Sequence, residues 1–555
     1  MRMAAALGFL LGGLAMPASS PPKNGPLLLV GGKVVASAAE PARPAAVLAV
    51  DGKIAFVGDE AEARRRAAGA NLDVVDLAGA VVYPGFIDAH AHLKGLGMSL
   101  ETLDLRGKQK EEVLKLVREA AARSAAGTWI RGRSWDQNLW PKKSFPTATE
   151  LTVTAPRNPV ALTRVDGHAI WVNDSVLRLA NVTPETADPA GGRIVRDAAG
   201  RPSGVFVDAA MDLVTRVMPE PSPADLRRYF GSGAKACATV GLTGIGDASA
   251  YDRKEIDVLR AMARDGSLPI RVYATVGASS KDLEAFFASG PVSDGRLTVR
   301  AVKMFADGAL GSRGAALLAD YSDDPGNRGL LVTEPAGMNA VALAAVKAGW
   351  QVWTHAIGDR ANRLALDAYE KALAAVRPKD ARLRIEHAQV LAPEDLSRFA
   401  RLGVIASIQP THATSDMGWA EARLGPVRIR GAYAWRSLRA SGARLCGGSD
   451  FPVEEVSPLL GIYAAVTRQD LAGRPPGGWY PDQRLTRREA LALFTEGAAY
   501  AEFAEKRRGE IAPGFDADLT VLDRDIVSEA LPPGEIPVAR VVMTVVGGEV
   551  VYRNR

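Results

Sequence analysis

The sequence predicts an α/β protein: a (β/α)8 TIM barrel with a large insertion after its first strand and a small β-sandwich domain built from both termini. Three observations carry this expectation. Strand-like and helix-like runs alternate eight times through the middle of the chain. Short strand-rich segments lie at both ends. The length of 555 residues also exceeds what one hydrophobic core usually holds.

At the N-terminus, Arg2 precedes an apolar run from Ala4 to Met16, followed by Pro17, Ala18, Ser19 and Ser20. That order reads as a bacterial secretory signal over residues 1–20, cleaved after Ala18 or Ser20, and implies a periplasmic or secreted protein. The alternative is an ordinary apolar N-terminus. No later run is long and apolar enough for a membrane helix. Residues 26–84 then hold LLLVGGKVV, AVLAVDGKIAFVG with an Asp51-Gly52 hairpin signal, and LDVVDLAGAVVYPG, the N-terminal part of the sandwich. The C-terminal part, residues 506–555, contains GFDADLTVLD and VARVVMTVVGGEVVY, which turns at Gly547-Gly548.

Residues 85–505 carry the barrel. Its strands are expected at 85–92, 241–249, 269–277, 297–308, 350–359, 383–390, 403–412 and 444–452, with helices at 253–265, 338–347, 362–376 and 393–402. The gap between strands one and two, residues 93–240, is far longer than one helix and reads as a lid over the barrel mouth. Within it, WIRGRSWDQNLWP and RVDGHAIWVN mix Trp, Arg and His with turn residues, while GGRIVRDAAGRPSGVF reads as a hairpin.

Composition narrows the function classes. With 47% hydrophobic and 24% charged residues the chain is globular rather than disordered. A formal charge of +5 without blocks of like charge argues against a nucleic-acid partner; the partner expected is a small-molecule substrate. Cys237 and Cys446 are too few for a disulfide framework or thiolate metal site and read as small buried hydrophobes. Whether the chain forms a homo-oligomer is left open.

The residues with chemistry fall at the ends of expected strands, where a barrel builds its site. His90 and His92 are two apart on strand one, so both imidazoles point into the same space. Lys303 lies on strand four, His355 and His387 hold matching positions on strands five and six, and Asp450 lies on strand eight. Neutral imidazole and carboxylate suit zinc and similar divalent ions. Each residue also has a plainer reading: a chance surface His pair, a hydrogen-bonded core His, a helix-capping Asp. Joint placement favours a metal centre, since four of the chain's 6 histidines end strands of one barrel.

VVYPGFIDAHAHL, VKMFADGALGSRGAAL, WTHAIGDRAN, LRIEHAQV and CGGSDFPVE resemble, in order, the signature segments of amidohydrolase family 3. This is the YtcJ-like branch of the amidohydrolase superfamily, which includes N-substituted formamide deformylases. The resemblance extends to TRVDGHAIWVN and to the closing PGFDADLTVLD. It implies two Zn²⁺ ions, one held by His90, His92 and Asp450, the other by His355 and His387, with Lys303 bridging them as an N-carboxylated lysine. A plain ammonium offers only donors and repels cations; the alternative for Lys303 is a barrel lysine beside a single ion.

The reaction expected is hydrolysis of a non-peptide carbon–nitrogen bond in an amide, formamide or cyclic amide by metal-activated water, with Asp450 as general acid/base. His168 in the insertion, His412 after strand seven and Trp171 are candidate substrate contacts. His168 and His412 have structural hydrogen bonding as their alternative. Trp135, Trp140 and Trp419 could join Trp171 in an apolar pocket. An ester, lactone or phosphoester hydrolase on the same centre is the rival enzyme reading. A non-catalytic, metal-stabilised binding protein is the remote one.

Overall fold

The computed structural model describes residues 25–67, 71–164, 169–189 and 192–554; the signal expected over residues 1–20 lies outside them. Every one of the eight barrel runs forms a strand: Phe86–Ala91, Leu242–Tyr251, Arg271–Gly277, Leu297–Phe305, Gln351–Ala356, Arg384–His387, Ile405–Ile408 and Arg444–Gly447. Each pairs in parallel with the next. Alternation sorts their side chains. Val272 and Ile385 face outward into the main core under the helices. Inside, Tyr273 stacks on Trp353 with centroids 5.5 Å apart, and the Arg384 guanidinium lies 3.5 Å over the Trp353 ring. The interior is a packed layer and not a pore.

Strands one and eight close the ring through their C-terminal loops. The Asp450 amide donates to the His90 carbonyl at 2.8 Å, and the His92 amide to that of Phe451 at 2.9 Å. Ser449 adds amide and hydroxyl donors to the Asp88 carboxylate, whose burial pushes its pKa up to about 7. Gly448 permits this approach, since a Cβ there would sit 2.5 Å from the His90 amide nitrogen.

The four expected helices form at Arg253–Arg264, Pro335–Lys347, Asp359–Val376 and, behind a short 3-10 turn, Leu396–Leu402. Between strands one and two, helices Leu93–Leu100 and Pro223–Thr239 pack on the barrel and bracket the insertion, which builds its own six-stranded sheet. The expected hairpin is there, Gly192–Arg196 against Pro202–Asp208. Gly97 lets the two bracketing helices cross closely, because a Cβ on it would lie 1.9 Å from the Tyr229 carbonyl oxygen. Gly97→Val is therefore expected to cost about 1–3 kcal/mol of stability through overpacking. A thermal melt indistinguishable from the parent would refute that.

Both ends of the chain meet in two further sheets. Leu27–Val30, Ala46–Val50, Lys53–Gly58 and Asp73–Asp76 form one; Val81–Pro84 joins Leu519–Leu522, Val541–Val546 and Glu549–Arg553 in the other. Leu27, Leu29, Val47 and Ile54 pack against Leu519, Val521, Met543 and Val545 between them, the core of a sandwich. Both two-residue hairpin loops, Asp51-Gly52 and Gly547-Gly548, have positive φ at both positions, the type I′ requirement. Cys237 and Cys446 are buried and unpaired.

Candidate metal centre

At the C-terminal mouth of the barrel, His90, His92, Lys303, His355, His387, His412 and Asp450 line one cavity of about 410 Å³. His90 Nε2 is 3.5 Å, and His92 Nε2 2.9 Å, from Asp450 Oδ1; His412 Nε2 is 3.6 Å from Oδ2. Ligand atoms of His90, His387 and Asp450 all lie within 4.8 Å of one another. His355 joins them ring against ring, its centroid 4.6 Å from that of His387.

The backs of the imidazoles decide which nitrogen faces the cavity. His90 Nδ1 meets the Glu386 carboxylate in a short hydrogen bond, so it carries the proton and leaves the Nε2 lone pair free. His387 Nδ1 donates to Gln409 Oε1 at 2.8 Å, with the amide oriented by its own donation to the Ser407 carbonyl. His92 Nδ1 is 3.3 Å from Ser249 Oγ, whose hydroxyl is spent on Asp247 at 2.6 Å. All three therefore present Nε2 lone pairs inward.

Glu386 is fixed in turn by Arg384, which donates to both its oxygens at 2.8 and 2.9 Å and reaches the Ala89 carbonyl and Ser407. Burial pushes the Glu386 pKa up, but Arg384 and His90 overcome this and hold it well below the carboxylate range. Sequence reasoning passed over this pair. Their spacing of two on strand six, next to His387, was the available signal.

Positive φ aims two of the cavity's side chains. Arg384 and Glu386 face the barrel axis and Ile385 faces out, so alternation would send His387 outward; its φ of 74° turns it back. Asp450 has φ 62°. On strand four Lys303 is 1% exposed, and burial brings its amine down to about 8. Asp307 accepts the amides of Ala316, Ile357 and Gly358, tying the loops beside His355.

These residues fit a divalent ion. Buried Nε2 atoms of His90, His355 and His412 have no hydrogen-bond partner. His92 Nε2 and an Asp450 oxygen face each other as two electron-pair donors, which needs a proton or a cation between them. Burial and the Lys303 charge hold the His355 pKa down to about 3, and burial with the neighbouring His355 holds His387 well below its usual range, so both are neutral, as ligands must be.

The expected substrate contacts separate. His412 lines the cavity beside Asp450, and Trp419 is in its wall. His168 lies outside the described residues. Trp171 does not reach the cavity: it is fully buried in the insertion's own core with Trp135 and Trp140, its indole donating to the Thr147 carbonyl at 2.8 Å. Tryptophan fills a small core as readily as it lines a pocket, and the insertion needed a core of its own. Among the described residues, none from 93–240 lines the cavity.

A histidine and carboxylate cluster at the mouth of a parallel barrel, with a sandwich from both termini, is the construction of a metal-dependent hydrolase. The amidohydrolase family model matches residues 73–552, and the chain belongs to that family. It is 35% identical over 534 residues, 94% of this chain and 99% of the relative, to the YtcJ amidohydrolase of Bacillus subtilis (strain 168). The N-substituted formamide deformylase of Arthrobacter pascens is 31% identical over 538 residues, 92% of this chain and 95% of that one. A metal-dependent hydrolase from Pyrococcus furiosus superposes with a TM-score of 0.77 at 31% identity, covering 91% of this chain and all of the other.

Proposed function

We propose that the protein hydrolyses a non-peptide amide, formamide or cyclic amide bond in a small molecule. His90, His92 and Asp450 would hold one divalent ion and His355 and His387 a second, with Lys303 carboxylated between them; imidazole and carboxylate donors favour zinc. The observation that carries this is the set of unpartnered, buried Nε2 atoms of His90, His355 and His412 in one cavity with Asp450. When bound, such ions lower the pKa of water and polarise a carbonyl oxygen. Asp450, at the edge of the site, accepts the proton of the attacking water and passes it to the leaving nitrogen. His412 Nε2 donates to the carbonyl oxygen as charge develops there, and His168 contacts substrate from the insertion. Export through residues 1–20 belongs to the same reading.

The test pairs metal analysis with parallel assay of N-acyl amines, formamides and matched esters. Two divalent ions per chain and amide turnover that is lost to chelator and restored by metal are expected. Turnover of esters alone would overturn the bond assignment. For Lys303, protein reconstituted in ¹³C-bicarbonate should show a carbamate resonance that Lys303→Arg lacks; no resonance in the parent would leave it an ordinary amine.

A further inference from the structure

Beyond the candidate ligands, the cavity wall holds two carboxylates, Asp416 and Glu454, beside apolar Phe305, Leu310 and Val453. Among the described residues no arginine lines it, and the lysine that does is the buried Lys303. A chain of net charge +5 has thus concentrated negative charge around its pocket mouth.

Neutral donors hold both acids. The Tyr433 hydroxyl at 2.6 Å and the Gln389 amide at 3.3 Å donate to the same Asp416 oxygen, Oδ2; the Ser415 hydroxyl donates to Glu454 Oε1 at 2.6 Å. Among the described residues, no arginine or lysine pairs with either acid. Arg423, stacked on Trp419, is taken up by Asp323. Neutral donors fix a carboxylate without cancelling its charge, and here they leave Asp416 Oδ1 and Glu454 Oε2 available. Burial, with the Glu454 carboxylate nearby, pushes the Asp416 carboxyl above its ordinary range against the opposing effects of Tyr433 and His412. The cavity is a ligand site independently of these acids, because the fully buried His90 Nε2 that faces it is unpartnered.

We propose that the substrate carries a protonated amine or guanidinium which Asp416 and Glu454 bind, a specificity that rests on the amide-hydrolase reading above. Asp416 follows His412 by one turn of the helix Pro410–Asp416, about 6 Å along its axis, so the cation stands a short spacer from the scissile carbonyl. Amides bearing a free carboxylate, such as N-acyl amino acids, are repelled.

Three amides of matched length test this on the metal-replete protein: N-acetyl-1,4-diaminobutane, N-pentylacetamide and N-acetyl-5-aminopentanoate, compared by kcat/KM and by calorimetric Kd. The cationic amide should exceed the neutral one by about tenfold in both, as an ion pair adding ~1.4 kcal/mol would give. The anionic amide should be weakest, and added salt should shrink the spread. In Asp416→Asn/Glu454→Gln, checked by circular dichroism and metal content, the cationic-to-neutral ratio should fall towards one. Equal binding and turnover of cationic and neutral amides by the parent, or an unchanged ratio in the variant, overturns the proposal. Preferential binding of the cationic amide without hydrolysis would keep the charge selection and sink the amide-hydrolase reading instead.

Discussion

Asp450→Asn should lower turnover by about 10²–10⁴-fold, the usual worth of a positioned general acid/base. A carboxamide matches the carboxylate in shape, and asparagine tolerates positive φ, so the backbone at φ 62° should survive. What it loses is a group that can take a proton from water and return it to nitrogen. Burial opposes the charge on Asp450, yet the surrounding imidazoles of His90, His92 and His387 keep its pKa well below the ordinary range, so it is a carboxylate before catalysis starts. Turnover per bound metal, with metal content measured on the same sample, separates the proton role from the ligand role. Undiminished turnover would remove Asp450 from the mechanism.

Arg384→Met should destabilise the fold by about 3–5 kcal/mol, because it strands the fully buried Glu386 carboxylate without its counter-charge. Methionine keeps much of the volume beside Trp353, so lost packing is the smaller part of the effect. Pairing the change with Glu386→Gln should recover a large share of the loss, a non-additivity that a packing defect would not show. In Glu386→Gln alone, His90 loses the carboxylate behind Nδ1, and metal affinity should drop by about 10–100-fold. Chemical unfolding and metal titration of the three variants read both effects; an Arg384→Met melt like the parent's would refute the ion-pair account.

The barrel was legible because each strand announces itself locally, by a run of apolar residues ending in a turn, and eight such runs exclude most alternatives. His90 and His92 were legible for the same reason: a spacing of two is a statement about one strand. Trp171 was misplaced because residue type does not say which of several cores a side chain joins. Glu386, and Arg384 which holds it, were overlooked because the importance of Glu386 lies in what it touches, a histidine that the chain reaches 296 residues earlier.

Local pattern by itself determined the fold class, the eight strands and the candidate metal ligands, since these depend on periodicity and on donor chemistry. Tertiary structure decided the rest. It set which nitrogen each histidine offers, turned His387 inward against its strand's alternation, and joined Asp88 to Ser449 across 361 residues to close the ring. Among the described residues, it also left Asp416 and Glu454 in the cavity wall without an arginine or lysine partner. Partners and backbone reversals of this kind depend on long-range contacts, and no window of sequence contains both sides of such a contact.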